Sequence, residues 1–238
     1  TGVPVVAAGG MRCHDPKSGV PSVTTDHDAI ARLAAEHFLE RGLRHFGYYG
    51  RMPTGPVGWS ERRGDAFVRR IEAAGASCSR HTAIQGPADW GGLQRALGDW
   101  LAGLPKPAGV MACDDSCARH VLEACRDRGI RVPHEVAVIG VDDDELICEL
   151  ATPPLTSIRQ ATRRIGYEAA RLLDRLIRPV SGGNAGPMQT RIPPIGIVAR
   201  GSTETLAVAD PEIARVIETI RERACGELDI DELAGVAG

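Results

Sequence analysis

Four consecutive acids, Asp142, Asp143, Asp144 and Glu145, follow an apolar run in "AVIGVDDDEL", and Asp114 and Asp115 follow "GVMAC" in the same way. Acids at the end of a strand can hold a metal, do acid–base chemistry, grip a hydroxylated ligand or cap the next helix. Two further stretches add other chemistry: "GRMPTGPVGWSERRGDAF" carries Trp59, Arg62 and Arg63, and "QGPADW" carries Asp89 and Trp90. Planar Trp faces pack on the apolar C–H face of a sugar ring. Carboxylates accept from paired hydroxyls, and Arg donates to ring or hydroxyl oxygens. The set suits a sugar. Tightly spaced acids also resemble a Mg²⁺ site, but phosphoryl transfer would want a Lys and a Gly-rich phosphate cradle, and neither is evident.

All four stretches follow predicted strands. Strand patterns fall at Val3–Ala8, Ser22–Thr25, His45–Tyr49, Cys78–Ile84, Gly109–Cys113, Val136–Val141 and Arg191–Val198. Helical patterns separate most of them. In "DHDAIARLAAEHFLERG", Ile30, Leu33, Ala34, His37 and Phe38 recur at helical spacing and Gly42 closes the helix. "RRIGYEAARLLDRLI" repeats the device with Ile165, Ala169, Leu172, Leu173 and Leu176. Such alternation predicts parallel sheets covered by helices, whose usable site lies beyond the carboxyl ends of the strands. "SGGNAGP" at 181–187 reads as a surface loop.

Each candidate also has a plain structural role open to it. Asp114 and Asp115 can cap the helix beginning "DDSCARH". Asp143, Asp144 and Glu145 read as a turn and a helix start. Trp100 and His37 sit where side chains pack against a core.

Composition describes an ordinary soluble globular chain: 238 residues, 43% hydrophobic, 25% charged, with 28 Lys plus Arg against 31 Asp plus Glu. The resulting charge of -3 gives no general attraction to nucleic acid or anionic membrane. No apolar run approaches the roughly 20 residues that span a bilayer. Seven cysteines, an odd number without a CxxC pair, favour a reducing cytoplasm over a disulfide scaffold. Histidine spacing predicts no metal centre, and no cofactor is expected. The chain opens without Met, with a strand under way, and closes within a helical pattern, so it reads as a piece of a longer protein.

The end of the chain breaks the alternation. "DPEIARVIETIRERAC" places Asp210 as N-cap and Pro211 at the first helical position. "GELDIDELAGVAG" begins a second helix with Asp229 and Glu232 spaced as a capping box. A separate α-helical domain is expected from about residue 207.

The ordered series "PSVTTDHDAIARLAAEHFLERGLRHFGYYG", "WSERRGDAF", "GVMACDDSCARHVLEACRDRGIRVPHEVAVIGVDDDEL" and "PPLTSIRQATRRIGYEAARLL" resembles the sensor domain of the lac-repressor/GalR family. It covers most of residues 3–200. The tail from 210 resembles instead the start of an AraC-type helix-turn-helix domain. Sensor first and AraC-type reader second is the arrangement of the xylose-operon regulators.

The resemblance implies an α/β fold of two subdomains like those of periplasmic sugar-binding proteins, with parallel sheets and helices on both faces. The sensing domain would span 1–206, its first subdomain incomplete (about 1–26 and 161–178), its second about 27–158 and 189–200. Residues 207–238 would begin the DNA-binding domain without its recognition helix, so no residue here is expected to touch DNA. By motif, Arg63, Asp115 and Asp142 match the family's ligand-gripping residues. Trp90 matches an aromatic near the pocket, and Gln160 a hinge residue facing the ligand. Trp59 and Asp114 complete the expected set. Asp114 departs from the family, which usually has an amide or hydroxyl there, and Ala66 stands in place of a common Gly.

The implied function is a sugar-responsive regulator, with a monosaccharide effector, operator DNA bound by the longer protein, and a homodimer. Two other classes compete: a periplasmic sugar-binding protein for uptake, and an α/β enzyme using Asp115 and Asp142 with Mg²⁺. The cysteines and the helical tail weigh against the first, and no nucleophile or phosphate cradle supports the second.

Overall fold

The computed structural model describes residues 3–9, 19–52, 58–83, 90–178, 189–204, 211–223 and 229–237. Strands β1 (Ala7–Ala8) and β2 (Ser22–Thr25) lead into helix α1 (His27–Glu40). Strand and helix then alternate through β3 (His45–Arg51), α2 (Trp59–Ala73), β4 (Cys78–Ala83), α3 (Trp90–Gly103), β5 (Ala108–Ala112) and α4 (Asp115–Asp127). The alternation continues with β6 (Val136–Asp142), α5 (Glu145–Leu150), β7 (Thr156–Arg159) and α6 (Thr162–Ile177). Strands β8 (Gln189–Ile192) and β9 (Gly196–Val198), a 3-10 turn at Gly201–Thr203, and helices α7 (Pro211–Glu222) and α8 (Ile230–Ala237) follow.

The strands form two sheets, one of order β1-β2-β8 and one of order β4-β3-β5-β6-β7-β9. All pairings are parallel except β7 with β9. Strands buried on both faces need continuous apolar sequence. "AGVMA" of β5 and "VAVIGV" of β6 provide it, and every one of those residues is buried.

Helix α1 starts where the Asp26 side chain accepts from Ala29 N at 3.0 Å, and it buries Ile30, Ala34, Ala35 and Phe38. Phe38 packs directly on β5 at Gly109, where any Cβ would stand 2.8 Å from its ring. Phe46 and Phe67 each lie 6.4 Å from Phe38, ring centre to ring centre, completing an aromatic centre for the large sheet. The small sheet has its own core of Val23, Ile165, Ala169, Leu172 and Ile192.

The segment Arg191–Val198, expected as one strand of the second subdomain, is two strands in different sheets. Ile192 pairs with Thr25 in the small sheet, whereas Ile197 pairs with Ile158 in the large one. Pro193 and Pro194 lie between them; proline donates no ladder hydrogen bond, so pairing stops there and the chain changes sheets. Residues 189–192 therefore belong with the small sheet. Strand β7, four residues long, was not among the predicted strands. Of the predicted strand Val3–Ala8, only Ala7 and Ala8 pair, and Val3 and Val5 are exposed.

His37 is a core histidine, its Nε2 2.8 Å from Thr203 Oγ1. Trp100 packs on His81 and donates to Ser79 Oγ at 2.8 Å. In the C-terminal segment, Asp229 Oδ1 accepts from Asp231 N at 3.0 Å at the start of α8. Asp210, Asp89 and the loop 181–187 lie outside the described residues. Among the described residues, no helix is long and apolar enough to cross a membrane.

Candidate functional site

Where the carboxyl ends of both sets of strands face each other there is a cleft of about 310 Å³. The small sheet contributes Ala8, Gly9 and Thr25, and the large sheet contributes Asp114 and Asp142 from the ends of β5 and β6. His27, Trp59 and Arg63 enter from α1 and α2, Gln160 from the crossover after β7, and Ile165 from α6. Placement at strand ends is the general site of ligands in open α/β sheets.

Asp142 ends β6 in an unusual backbone conformation, with φ of 122°. Its carboxylate accepts from Gln160 Nε2, and Gln160 Oε1 in turn accepts from Thr25 Oγ1 at 2.5 Å. This chain of side chains joins the small sheet to the large. Burial holds the Asp142 carboxyl above the usual carboxylate range, and Arg63 and Gln160 oppose that rise.

Arg63 is buried in the first turns of α2. Its Nη1 donates to Cys113 O, and its guanidinium lies 5.1 Å over the Trp59 ring. Among the described residues, its buried Nε has no hydrogen-bond partner, and Arg63 itself lines the cleft.

Asp114 fills both of the roles open to it. As N-cap of α4 it accepts from Cys117 N at 2.7 Å, and it also lines the cleft. Arg51 Nε and Nη2 donate to its two oxygens at 2.7 and 3.2 Å, which offsets the charge that sets this chain apart from its resemblance family.

Asp115 does not line the cleft. It is 1% exposed and turned beneath the end of β6, where it accepts from Ser157 Oγ at 2.6 Å and Asp144 N at 2.8 Å. Burial pushes its carboxyl up to about 6, against the pull of those hydrogen bonds. Its place is that of a brace for the Asp142–Asp144 turn. Trp90 also stands outside the lining: it is 51% exposed and meets His120 edge-on, with ring centres 4.7 Å apart.

The other acids have separate tasks. Asp144 caps α5 by accepting from Ile147 N at 3.2 Å. Asp143, with φ of 57°, pairs with Arg159 at 2.6 Å and Arg200 at 2.9 Å. Glu145 opens α5 on the surface.

Sequence reasoning missed Thr25 and His27. Extending the strand-end rule to β2 would have found both, since Thr25 is its last paired residue and His27 follows two positions on. Burial, then the fields of Arg63, Arg62 and Arg191, lower His27 to about 3, so its imidazole is neutral near pH 7.

Among the described residues, Cys113, Asp114 and Cys117 offer possible metal ligands within 4.8 Å of one another. Both Asp114 oxygens are already engaged by Arg51, whose positive charge opposes a cation there. The adjoining Cys113 thiol, and then burial, keep Cys117 above the usual thiol range, against the thiolate that a metal would need.

This fold and cleft define a class. Residues 35–203 match the periplasmic binding protein-like domain, and the chain belongs to that family. Over 233 residues it is 35% identical to the xylose operon regulatory protein of Haemophilus influenzae, covering 97% of this chain and 59% of that protein. A solved xylose-binding transcription activator superimposes with a TM-score of 0.78 at 31% identity, over 99% of this chain and 62% of that one. A LacI family transcriptional regulator from Arthrobacter sp. FB24, in complex with lactose, gives a TM-score of 0.66 at 27% identity, over 80% and 70%. The chain thus has a xylose-regulator-like sensor fold and spans about three fifths of the length of its regulatory relatives.

Proposed function

We propose that this chain is the larger part of a sugar-responsive transcriptional regulator, and that its cleft takes a monosaccharide, xylose or a related pentose. The observation that carries the reading is the convergence of Arg63, Asp114, Asp142 and Gln160 with the Trp59 ring between two sheets. A ring held there stacks one apolar face on Trp59 and gives its hydroxyl protons to Asp142 and Asp114. Arg63 donates to a ring or hydroxyl oxygen. An analogue lacking a hydroxyl leaves one of these polar groups without its partner and is disfavoured, most of all where the group is buried, as Arg63 and Asp114 are.

No bond is made or broken. A sugar touching both sheets binds the closed form better and shifts the open–closed equilibrium by that difference in affinity. In the longer protein, closure reaches an AraC-type DNA-binding domain that begins with α7 and α8 and reads operator DNA as part of a cytoplasmic homodimer. The names of the relatives support this reading over an uptake protein.

Calorimetry of the full-length protein with a panel of pentoses and hexoses tests it. Saturable binding of a pentose is expected, with loss of binding and of sugar-dependent reporter response in Asp142→Ala and Arg63→Ala. If no sugar binds, or either variant responds as the wild type does, the assignment of the cleft is wrong.

A further inference from the structure

A second cavity, of about 320 Å³, shares Thr25 and His27 with the sugar cleft. Its remaining lining comes from the small sheet and from α1 and α2: Ser22, Thr24, Gln189 and Arg191 on one side, Arg62, Asp65 and Arg69 on the other, with Asp28 between them. Unlike the cleft, it has no aromatic and no large apolar residue in its lining. That chemistry excludes a stacked sugar ring and favours a small, fully polar ligand.

The charges identify its sign. Asp65 is neutralised by Arg80 at 2.6 Å, and Arg80 is not part of the lining. Asp28 serves two guanidinia at once, Arg69 at 2.9 Å and Arg191 at 3.7 Å. Arg62 has no ion pair among the described residues. Three arginines therefore converge on the balance of a single shared carboxylate, leaving two positive charges uncompensated. His27, whose Nδ1 is buried without a partner, is a further donor or acceptor in the shared wall. Guanidinium forks match tetrahedral oxyanions two oxygens at a time.

We propose that this cavity is a phosphate-binding site, taking a phosphate dianion that bridges the small sheet and α2, either free or as the head of a phosphorylated sugar. The proposal goes beyond the sugar reading and does not depend on it, since none of the arginines concerned lines the cleft.

The test is isothermal titration of the full-length protein with inorganic phosphate and, separately, with a pentose 5-phosphate, at constant ionic strength. Saturable phosphate binding is expected, weakened at least about tenfold in Arg62→Gln and in Arg191→Gln, as for loss of one charge-assisted contact. Both side chains are exposed, so these variants keep the fold, which a thermal melt verifies. Tighter binding of the phosphorylated pentose that still depends on Arg62 assigns the site to sugar phosphates, and equal affinity assigns it to free phosphate. Asp142→Ala, which should abolish sugar binding, should leave phosphate binding intact, so the two assignments fail separately. Absence of saturable binding, or wild-type affinity in the Arg62→Gln/Arg191→Gln double variant, overturns the proposal. So does loss of phosphate binding in Asp142→Ala but not in Arg62→Gln.

Discussion

Arg200 Nη1 donates to Asp143 Oδ1 at 2.9 Å, and the two side chains are 12% and 3% exposed. The contact ties the residue next to Asp142 to the segment through which the chain leaves the large sheet. Arg200 also donates to Leu155 O at 3.0 Å and Glu149 Oε1 at 2.7 Å. Two residues on, Ser202 Oγ donates to Val138 O at 2.6 Å and accepts from Thr156 N at 2.8 Å. The exit segment is thereby fixed to the strand that carries the cleft carboxylate.

Arg200→Ala should therefore cost about 3 kcal/mol, the scale for removing one partner of a buried pair. Urea unfolding measures it, and Arg200→Lys should recover only part of the loss because an ammonium cannot reach several acceptors at once. An alanine variant with the wild-type midpoint would show that the contact does not stabilise the fold.

Gly140→Ala should destabilise the large sheet severely, by more than about 2 kcal/mol. The new Cβ would stand 2.2 Å from Asp115 Oδ1 and 3.2 Å from Leu155. Asp115 is held by Ser157 and Asp144 and has little room to withdraw. Thermal melting of the variant checks this, and an unchanged transition would contradict the packing described.

His37 should make the fold acid-sensitive. Burial, then Arg41, lower it from 6.5 to about 4. As pH falls below 6.5 the unfolded chain takes up a proton that the folded one refuses, so stability declines until about pH 4 and is level below it. The full effect is at most about 3 kcal/mol. His27 adds a decline of the same sign, while Asp115, raised to about 6, acts oppositely between its ordinary value and 6. The informative quantity is thus the difference between the wild type and His37→Gln, which retains a partner for Thr203. That difference should shift in favour of the variant between pH 7 and pH 4.5, and parallel pH profiles would refute it.

Gln160→Ala removes the link between Thr25 and Asp142 across the two sheets. Because the residue lies partly exposed at a crossover, stability should change by less than about 1 kcal/mol. Sugar affinity should fall about tenfold through loss of a direct contact and of the closed geometry. Calorimetry beside a melting curve separates the two effects, and a stability loss without an affinity loss would assign Gln160 a purely structural role.

Local pattern was enough for most of the architecture. The helical spacing of Ile30, Ala34, His37 and Phe38 and the unbroken apolar runs of β5 and β6 are properties of neighbours in sequence, and each element formed where its pattern lay. The strand-end rule likewise pointed to Asp142, Asp114, Arg63 and Trp59, which line one cleft, whereas Gln160 was indicated by the family resemblance alone. The proline pair Pro193–Pro194 marks in the sequence the point where the chain changes sheet.

Direction was decided elsewhere. Asp114 and Asp115 are adjacent acids of equal promise in the sequence, yet one faces the cleft and the other lies beneath β6. The choice depends on Ser157, 42 positions away, on Arg51, 63 positions from Asp114, and on the space left by Gly140. The same holds for "DDDE", whose members serve a cleft, an arginine pair, a helix cap and the solvent in turn. Sequence fixes the residue types that reach a strand end, because patterning is local. Only the fold sets which way each side chain turns, because its partners come from distant parts of the chain.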